Sequence, residues 1–174
     1  MSFETTISTW HEFYVLAGSA SATLVGLLFV GLSLHLRTVV GSSEVRGLAR
    51  VTLTNFGAVL FVALFVLVPA DQVTAGLQLV GTGLVSLAVA TPSLVAAIHR
   101  DRQAVQMRGR DRARLIWRFG LSTVSYVAVS IAGFRLLSSP SSAFAWLLVA
   151  IVVILVIALR NTWDLLVTVG DITL

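Results

Sequence analysis

Five long apolar stretches, separated by loops whose arginines fall almost entirely on alternate sides, constrain the fold of this chain more than any other feature. They cover residues 13–36, 51–70, 75–98, 119–137 and 143–159. A helix needs roughly 20 apolar residues to cross about 30 Å of hydrocarbon. Continuous apolar runs also lack the alternation of membrane-barrel strands. The sequence predicts an all-α integral membrane bundle of five transmembrane helices, in one domain over residues 1–174.

The composition agrees with a membrane environment. Of the 174 residues, 57% are hydrophobic and only 11% are charged, a balance that a soluble domain of this length could not shield from water. Cysteine is absent, which excludes disulfides and thiolate catalysis. A composition rich in Ala, Val, Leu and Gly, with arginine as its only basic residue besides histidine, is typical of GC-rich bacterial genomes. We therefore expect the bacterial inner membrane.

Arginine placement predicts the orientation. Eleven of the twelve arginines fall in the first and third loops or directly after the fifth stretch, which the five-span arrangement places on one side; Arg135 is the exception. Cytoplasmic loops retain positive charge during insertion. The N-terminus is therefore expected outside and the C-terminus in the cytoplasm.

A cleavable signal peptide is the competing interpretation of the first stretch, because residues 20–22 read Ala-Ser-Ala, like a cleavage site. However, Glu4 and Glu12 stand where a signal peptide carries basic residues, and the apolar run continues to Leu36. This pattern favours a retained first span.

The first span also carries two patterns of small residues. Gly18, Ala22 and Gly26 recur at four-residue intervals, the spacing that lets helix backbones approach closely in lipid, and we interpret them as helix-packing residues. A neighbouring line is the candidate pore-lining stripe: Ser19, Thr23, Gly26, Val30, Ser33 and Arg37. The alternative is that this line only packs against the second and fourth spans. The fifth span has no hydroxyl between residues 143 and 159 and is expected to face lipid.

Polar residues gather at the predicted cytoplasmic ends of the spans. This candidate cytoplasmic cluster comprises His35, Arg37, Arg50, Asn55, Arg100, Arg160 and Asp164. It either seals the end of the bundle or forms a gate or ligand site. A carboxylate at the membrane edge is tolerated best beside a cation, so Asp164 is expected to pair with an arginine.

Catalytic and metal-binding patterns are absent from the sequence. No Asp or His occupies the middle of a span, as intramembrane catalysis or ion-coupled transport would require. The three histidines lack a partner at metal-ligand spacing, so we predict no enzyme, metal or cofactor. Residues 99–118 carry seven arginines, which suit anionic lipid headgroups. Nucleic-acid binding is not expected, because stacking aromatics are missing.

Two strings resemble a known family: FYVLAGSASATLVGLLFV at residues 13–30 and RNTWDLL at residues 160–166. The family consists of small bacterial multi-pass membrane proteins without an assigned function, some of which carry the label modulator of the FtsH protease. The resemblance implies a multi-pass membrane protein and no catalytic residues.

These patterns together predict a non-enzymatic membrane protein, a partner-binding or regulatory module that self-associates. The alternative is a homo-oligomeric ion channel whose first transmembrane helix lines the pore. Expected partners are anionic lipid headgroups, further copies of the chain and another membrane protein.

Overall fold

The computed structural model describes residues 3–103 and 120–173, and all regular structure within them is helical. Six helices follow one another: α1 (Phe3–Leu34), α2 (Leu36–Gly41), α3 (Ser43–Leu67), α4 (Gln72–Gln103), α5 (Leu121–Leu136) and α6 (Pro140–Thr173). The prediction of an all-α bundle is confirmed.

Four of these helices, α1, α3, α4 and α6, are long and apolar enough to cross a membrane. The fourth predicted span, residues 119–137, corresponds to α5, an apolar helix of 16 residues. At ~1.5 Å per residue it rises about 24 Å, which is shorter than the hydrocarbon layer. Residues 104–119, before it, lie outside the described part of the chain. Helix lengths alone therefore support four spans and leave the fifth as a prediction.

Several helix ends differ from the predicted span ends. α1 begins at Phe3, well before residue 13, and α6 continues to Thr173, well beyond residue 159. Apolar side chains mark the hydrocarbon layer, whereas backbone hydrogen bonding continues beyond it. Pro92 lies inside α4 without ending that helix.

α3 is the central helix of the bundle. It packs against α1, α4 and α6, while α5 packs against α4 and α6. Tyr14 and Phe144 are in edge contact, with ring centroids 5.8 Å apart, and a Cβ at Gly31 would lie 3.8 Å from the Leu166 side chain. The later residue of α1 meets the later residue of α6 in these two contacts, so α1 and α6 run parallel. The start of α1 and the end of α6 therefore lie at opposite ends of the bundle.

Two apolar clusters fill the interior. The larger lies towards the α3–α4 turn and contains side chains of α1, α3, α4, α5 and α6, with Val62, Leu79 and Ile151 fully buried. The smaller lies towards the other end, where α1, α2, α3 and α6 contribute side chains such as Leu28, Val39 and Leu48. We call this second end the arginine end, because it also carries exposed arginines of α2, α3 and α6.

The prediction that the last span faces lipid is wrong for one side of α6. Phe144, Leu147, Ile151 and Ile154 are all at most 1% exposed in the larger cluster. A helix without hydroxyl groups can still fill a core, because branched apolar side chains pack densely there. The outward side of α6 carries Trp146, Val149, Val152 and Val156.

Candidate interaction surface on the first helix

The inward side of α1 is held by contacts with α3 and α6. Tyr14, Ala17, Ser21 and Leu28 are buried along one line of the helix. The Ser21 hydroxyl donates a hydrogen bond of 2.6 Å to the backbone carbonyl of Phe56 in α3. This line fixes which side of α1 faces away from the bundle.

Gly18 brings α1 close to α3. A Cβ atom at this position would lie 2.9 Å from the Cβ of Ala63, a distance that real side chains do not adopt. The absence of a side chain at Gly18 therefore sets the spacing of the two helices.

The candidate pore-lining residues of α1 point in the opposite direction. The exposed line, which we call the outer stripe, consists of Ser19, Thr23, Gly26, Val30 and Ser33. At about 100° per residue these positions fall within roughly a quarter of the helix circumference, on the side opposite Tyr14, Ser21 and Leu28. The outer stripe therefore faces away from the core of its own bundle.

The other two helix-packing residues belong with the outer stripe. Ala22 is exposed, and a Cβ at Gly26 would meet nothing within 4 Å. Of the three small residues at four-residue spacing, the structure brings only Gly18 into close contact with another helix of the chain. Ala22 and Gly26 leave a shallow outer surface.

Two hydroxyl groups of the outer stripe bond to their own helix. Thr23 donates to the Ser19 carbonyl at 2.9 Å, and Ser33 donates to the Val30 carbonyl at 2.8 Å. A hydroxyl that donates inward keeps acceptor lone pairs on its oxygen. The donors of Thr23 and Ser33 are therefore satisfied, which suits contact with lipid, and their oxygens still offer acceptors.

Arg37 does not extend the outer stripe. α1 ends at Leu34, and the chain turns at His35 before α2 begins. The Nδ1 of His35 lies 3.2 Å from the carbonyl oxygen of Gly31. Arg37 is exposed on α2, a separate helix.

The predicted cytoplasmic cluster is only partly brought together. Arg37, Arg50 and Arg160 are exposed at the arginine end, His35 is half-buried there, and Asp164 is half-buried one turn after Arg160. The side chain of Arg100 lies outside the described residues. The pairing of Asp164 with an arginine stays a prediction.

Asn55 is separate from that cluster, because it is fully buried between helices. Its Oδ1 accepts a hydrogen bond of 2.5 Å from the Tyr126 hydroxyl, and its Nδ2 donates to the Ser122 hydroxyl at 3.2 Å. An amide buried in an apolar interior needs such partners. Asn55 therefore joins α3 to α5 and is not part of a polar end.

Sequence reasoning also missed the closest helix contact, which lies between α4 and α5. A Cβ at Gly76 would lie 2.9 Å from the Gly133 carbonyl oxygen, and one at Gly133 would lie 2.7 Å from the Gly76 carbonyl oxygen. Gly83 lies against the backbone of Tyr126 on the same side. The signal was the seven-residue spacing of Gly76 and Gly83, two helical turns on one face.

Known proteins give no indication of function for this chain. The chain matches no family model, and no curated protein or solved structure is significantly similar to it. The outer stripe of α1 and the arginine end are the surfaces through which it could act.

Proposed function

We propose that this protein is a non-enzymatic integral membrane protein of the bacterial inner membrane that self-associates through the outer stripe of α1. One observation carries the proposal: the small residues Ser19, Ala22, Thr23 and Gly26 face away from the core of their own chain. Small residues that do not pack within a bundle are available to pack between bundles.

The physics of lipid favours this use. Apolar area alone does not drive helices together in a bilayer, because lipid tails are as apolar as leucine. Close backbone approach between small residues does contribute. Along one side of the outer stripe stand larger exposed side chains at Leu16, Leu27 and Leu34, so the stripe is a lower surface bordered by leucines. A second α1 fits such a surface better than a lipid chain of irregular shape does.

A five-span topology with the N-terminus outside is part of this proposal. The parallel arrangement of α1 and α6 supports an odd number of crossings. Arg37, Arg50 and Arg160 are exposed at the arginine end, whereas Arg135 is exposed at the other end, next to the start of α4. Cytoplasmic retention of arginine then gives the arginine end a cytoplasmic location.

The positions of the exposed polar groups support a partner-binding or regulatory role. α6 extends beyond the apolar segment and presents Arg160 and Trp163 at the arginine end. Such a charged, aromatic surface suits another membrane protein. The resemblance to small bacterial membrane proteins, some labelled as modulators of a membrane protease, agrees with this role.

An ion channel is the second candidate. It is favoured by the exposure of every α1 residue in the outer stripe and by the acceptor oxygens of Ser19, Thr23 and Ser33. Several copies arranged with α1 at a common axis would line a pore with these oxygens. Two copies packed stripe to stripe would leave no such pore.

Disulfide trapping tests self-association directly, because the chain contains no cysteine. Thr23→Cys and Gly26→Cys, oxidised in native membranes, are expected to give covalent dimers, since linked Cα atoms must lie within about 7 Å. Val156→Cys, on the exposed side of α6, is the matched control and should stay monomeric. Equal cross-linking of α1 and α6 variants, or none at all, would refute the proposed contact.

The same variants distinguish the two candidates. In a pore, Thr23→Cys faces water and reacts with a charged, membrane-impermeant thiol reagent. In a closed stripe-to-stripe contact, it forms the disulfide but stays unreactive to that reagent. Rapid modification would therefore favour the channel.

A further inference from the structure

A second outward surface lies on α3, away from the self-association stripe. Its exposed or half-exposed positions Arg46, Arg50, Gly57, Phe61 and Leu64 recur at helical spacing along one side. We call this line the α3 strip. It is basic at the arginine end and apolar towards the α3–α4 turn, which is the polarity of a phospholipid.

Neighbouring helices flank the α3 strip on both sides. α1 contacts α3 through Gly18 and Ala63, and α4 contacts it where a Cβ at Gly47 would lie 3.9 Å from the Ser93 hydroxyl oxygen. The strip lies between these two lines of contact. It is therefore an outward side of the central helix, bordered by α1 and α4.

The middle of the strip is open. A Cβ at Gly57 would meet nothing within 4 Å, so the helix surface is low there. Above it, the Thr54 hydroxyl donates to the Arg50 carbonyl at 2.8 Å. Below it, the Phe61 and Phe65 rings stack with centroids 6.0 Å apart. A flexible alkyl chain can lie over Gly57 against the aromatic pair.

The positive charge and the length of the α3 strip both suit an anionic phospholipid. Arg46 and Arg50, one turn apart on the same side, present two guanidinium groups, which bind phosphate oxygens well. Glu44 is the only acid among residues 36–70, against three arginines. From Arg50 to Phe61 the helix rises about 16 Å, close to the thickness of one hydrocarbon leaflet.

We propose that the α3 strip binds one anionic phospholipid, with its headgroup phosphate on Arg46 and Arg50 and an acyl chain over Gly57 against Phe61. This site is independent of self-association through α1. It differs from general attraction to an anionic surface, because it needs both the arginine pair and the open glycine.

Native mass spectrometry of the full chain in detergent, titrated with phosphatidylglycerol or phosphatidylcholine, tests the site. The wild type is expected to prefer phosphatidylglycerol. R46Q/R50Q should weaken phosphatidylglycerol binding by about twenty-five-fold, because each arginine near an anionic headgroup contributes roughly a factor of five. R37Q/R160Q removes the same charge from exposed positions at the same end and should cost less than about threefold.

A second pair of variants tests the acyl contact. Gly57→Leu fills the open position and should weaken phosphatidylglycerol binding, whereas Gly81→Leu, at another helix position with nothing within 4 Å, should not. All six altered positions avoid packed contacts, so folded protein is expected. Equal loss in both arginine pairs, equal binding of the two lipids, or unchanged binding by Gly57→Leu would overturn the proposal.

Discussion

The Tyr126 hydroxyl donates a hydrogen bond to Asn55 Oδ1 across 2.5 Å, joining two fully buried side chains on α5 and α3. Asn55 also donates to Ser122, so one amide holds two positions of α5. In an apolar interior such a bond specifies which helices are neighbours, because any other pairing leaves the amide unsatisfied. This contact attaches the short helix α5 to the central helix.

Tyr126→Phe is expected to destabilise the protein by about 1–2 kcal/mol. The substitution keeps the ring but leaves Asn55 Oδ1 without its donor. Unfolding of the purified protein in detergent, followed by denaturant titration, measures the difference.

Tyr14→Phe is the matched control. Tyr14 is as fully buried as Tyr126, but its hydroxyl has no hydrogen-bond partner within the described part of the chain. Removing an unsatisfied buried hydroxyl should leave stability unchanged or raise it. If the two Tyr→Phe variants lose equal stability, the Asn55 bond has no special role.

Gly83→Ala is expected to destabilise the contact between α4 and α5 by roughly 1–3 kcal/mol or more. The added Cβ would lie 2.6 Å from the backbone carbonyl oxygen of Tyr126, which cannot move without shifting α5. Thermal unfolding in detergent would report this as a lower Tm.

Gly81→Ala, two residues earlier on α4, should raise the stability of the protein, whereas Gly83→Ala lowers it. Its Cβ would meet nothing within 4 Å, and alanine is favoured over glycine in a helix by up to about 1 kcal/mol. Similar losses at both glycines would mean that the effect is helix propensity or lipid contact and not helix crossing.

Sequence patterns predicted which segments are helical but not which sides of the helices meet. In water, polar residues mark the outside of a helix. In lipid both sides of α1 are acceptable, so the small outer stripe and the buried line from Tyr14 to Leu28 could not be told apart. The four-residue repeat predicts close contacts at Gly18, Ala22 and Gly26. Within the chain, only the contact at Gly18 is formed.

Pairwise polar contacts were equally hidden from sequence. Asn55 follows Arg50 by five residues, so sequence position alone predicts that it belongs to the polar end, although its partner Tyr126 lies 71 residues away. Only the packing of α3 against the α4–α5 pair brings them together. The broad class of fold follows from hydropathy, whereas the sites depend on such long-range contacts.

The Asp71 carboxylate, at the start of α4, is expected to make the stability of the protein depend on pH. Its carboxylate accepts a 2.6 Å bond from the Thr74 hydroxyl and 3.1 Å bonds from the backbone N–H groups of Thr74 and Val73. The bond from the Thr74 hydroxyl, followed by the backbone bonds, lowers the pKa of Asp71 below its usual 3.8. A lowered pKa gives a stabilising contribution that is full well above pH 3.8 and is lost as the pH falls through the folded-state value.

Asp71→Ala should therefore reduce stability at neutral pH, and its difference from the wild type should shrink as the pH falls below about 4. Thr74→Val removes the largest cause and should move the pKa of Asp71 back towards 3.8. Denaturant unfolding at several pH values measures both effects. A wild-type advantage that persists undiminished into strong acid would show that the charge of the Asp71 carboxylate does not contribute to stability.

The final prediction concerns the number of crossings. With five spans, a reporter fused after residue 174 is cytoplasmic and a tag ahead of Trp10 is outside; with only the four long helices crossing, both termini lie on one side. The parallel contacts from Tyr14 to Phe144 and from Gly31 to Leu166 favour the first result. Protease protection of an N-terminal tag and activity of a C-terminal alkaline phosphatase or fluorescent fusion measure the two ends separately. Termini on the same side would contradict the parallel arrangement of α1 and α6 and remove the five-span topology.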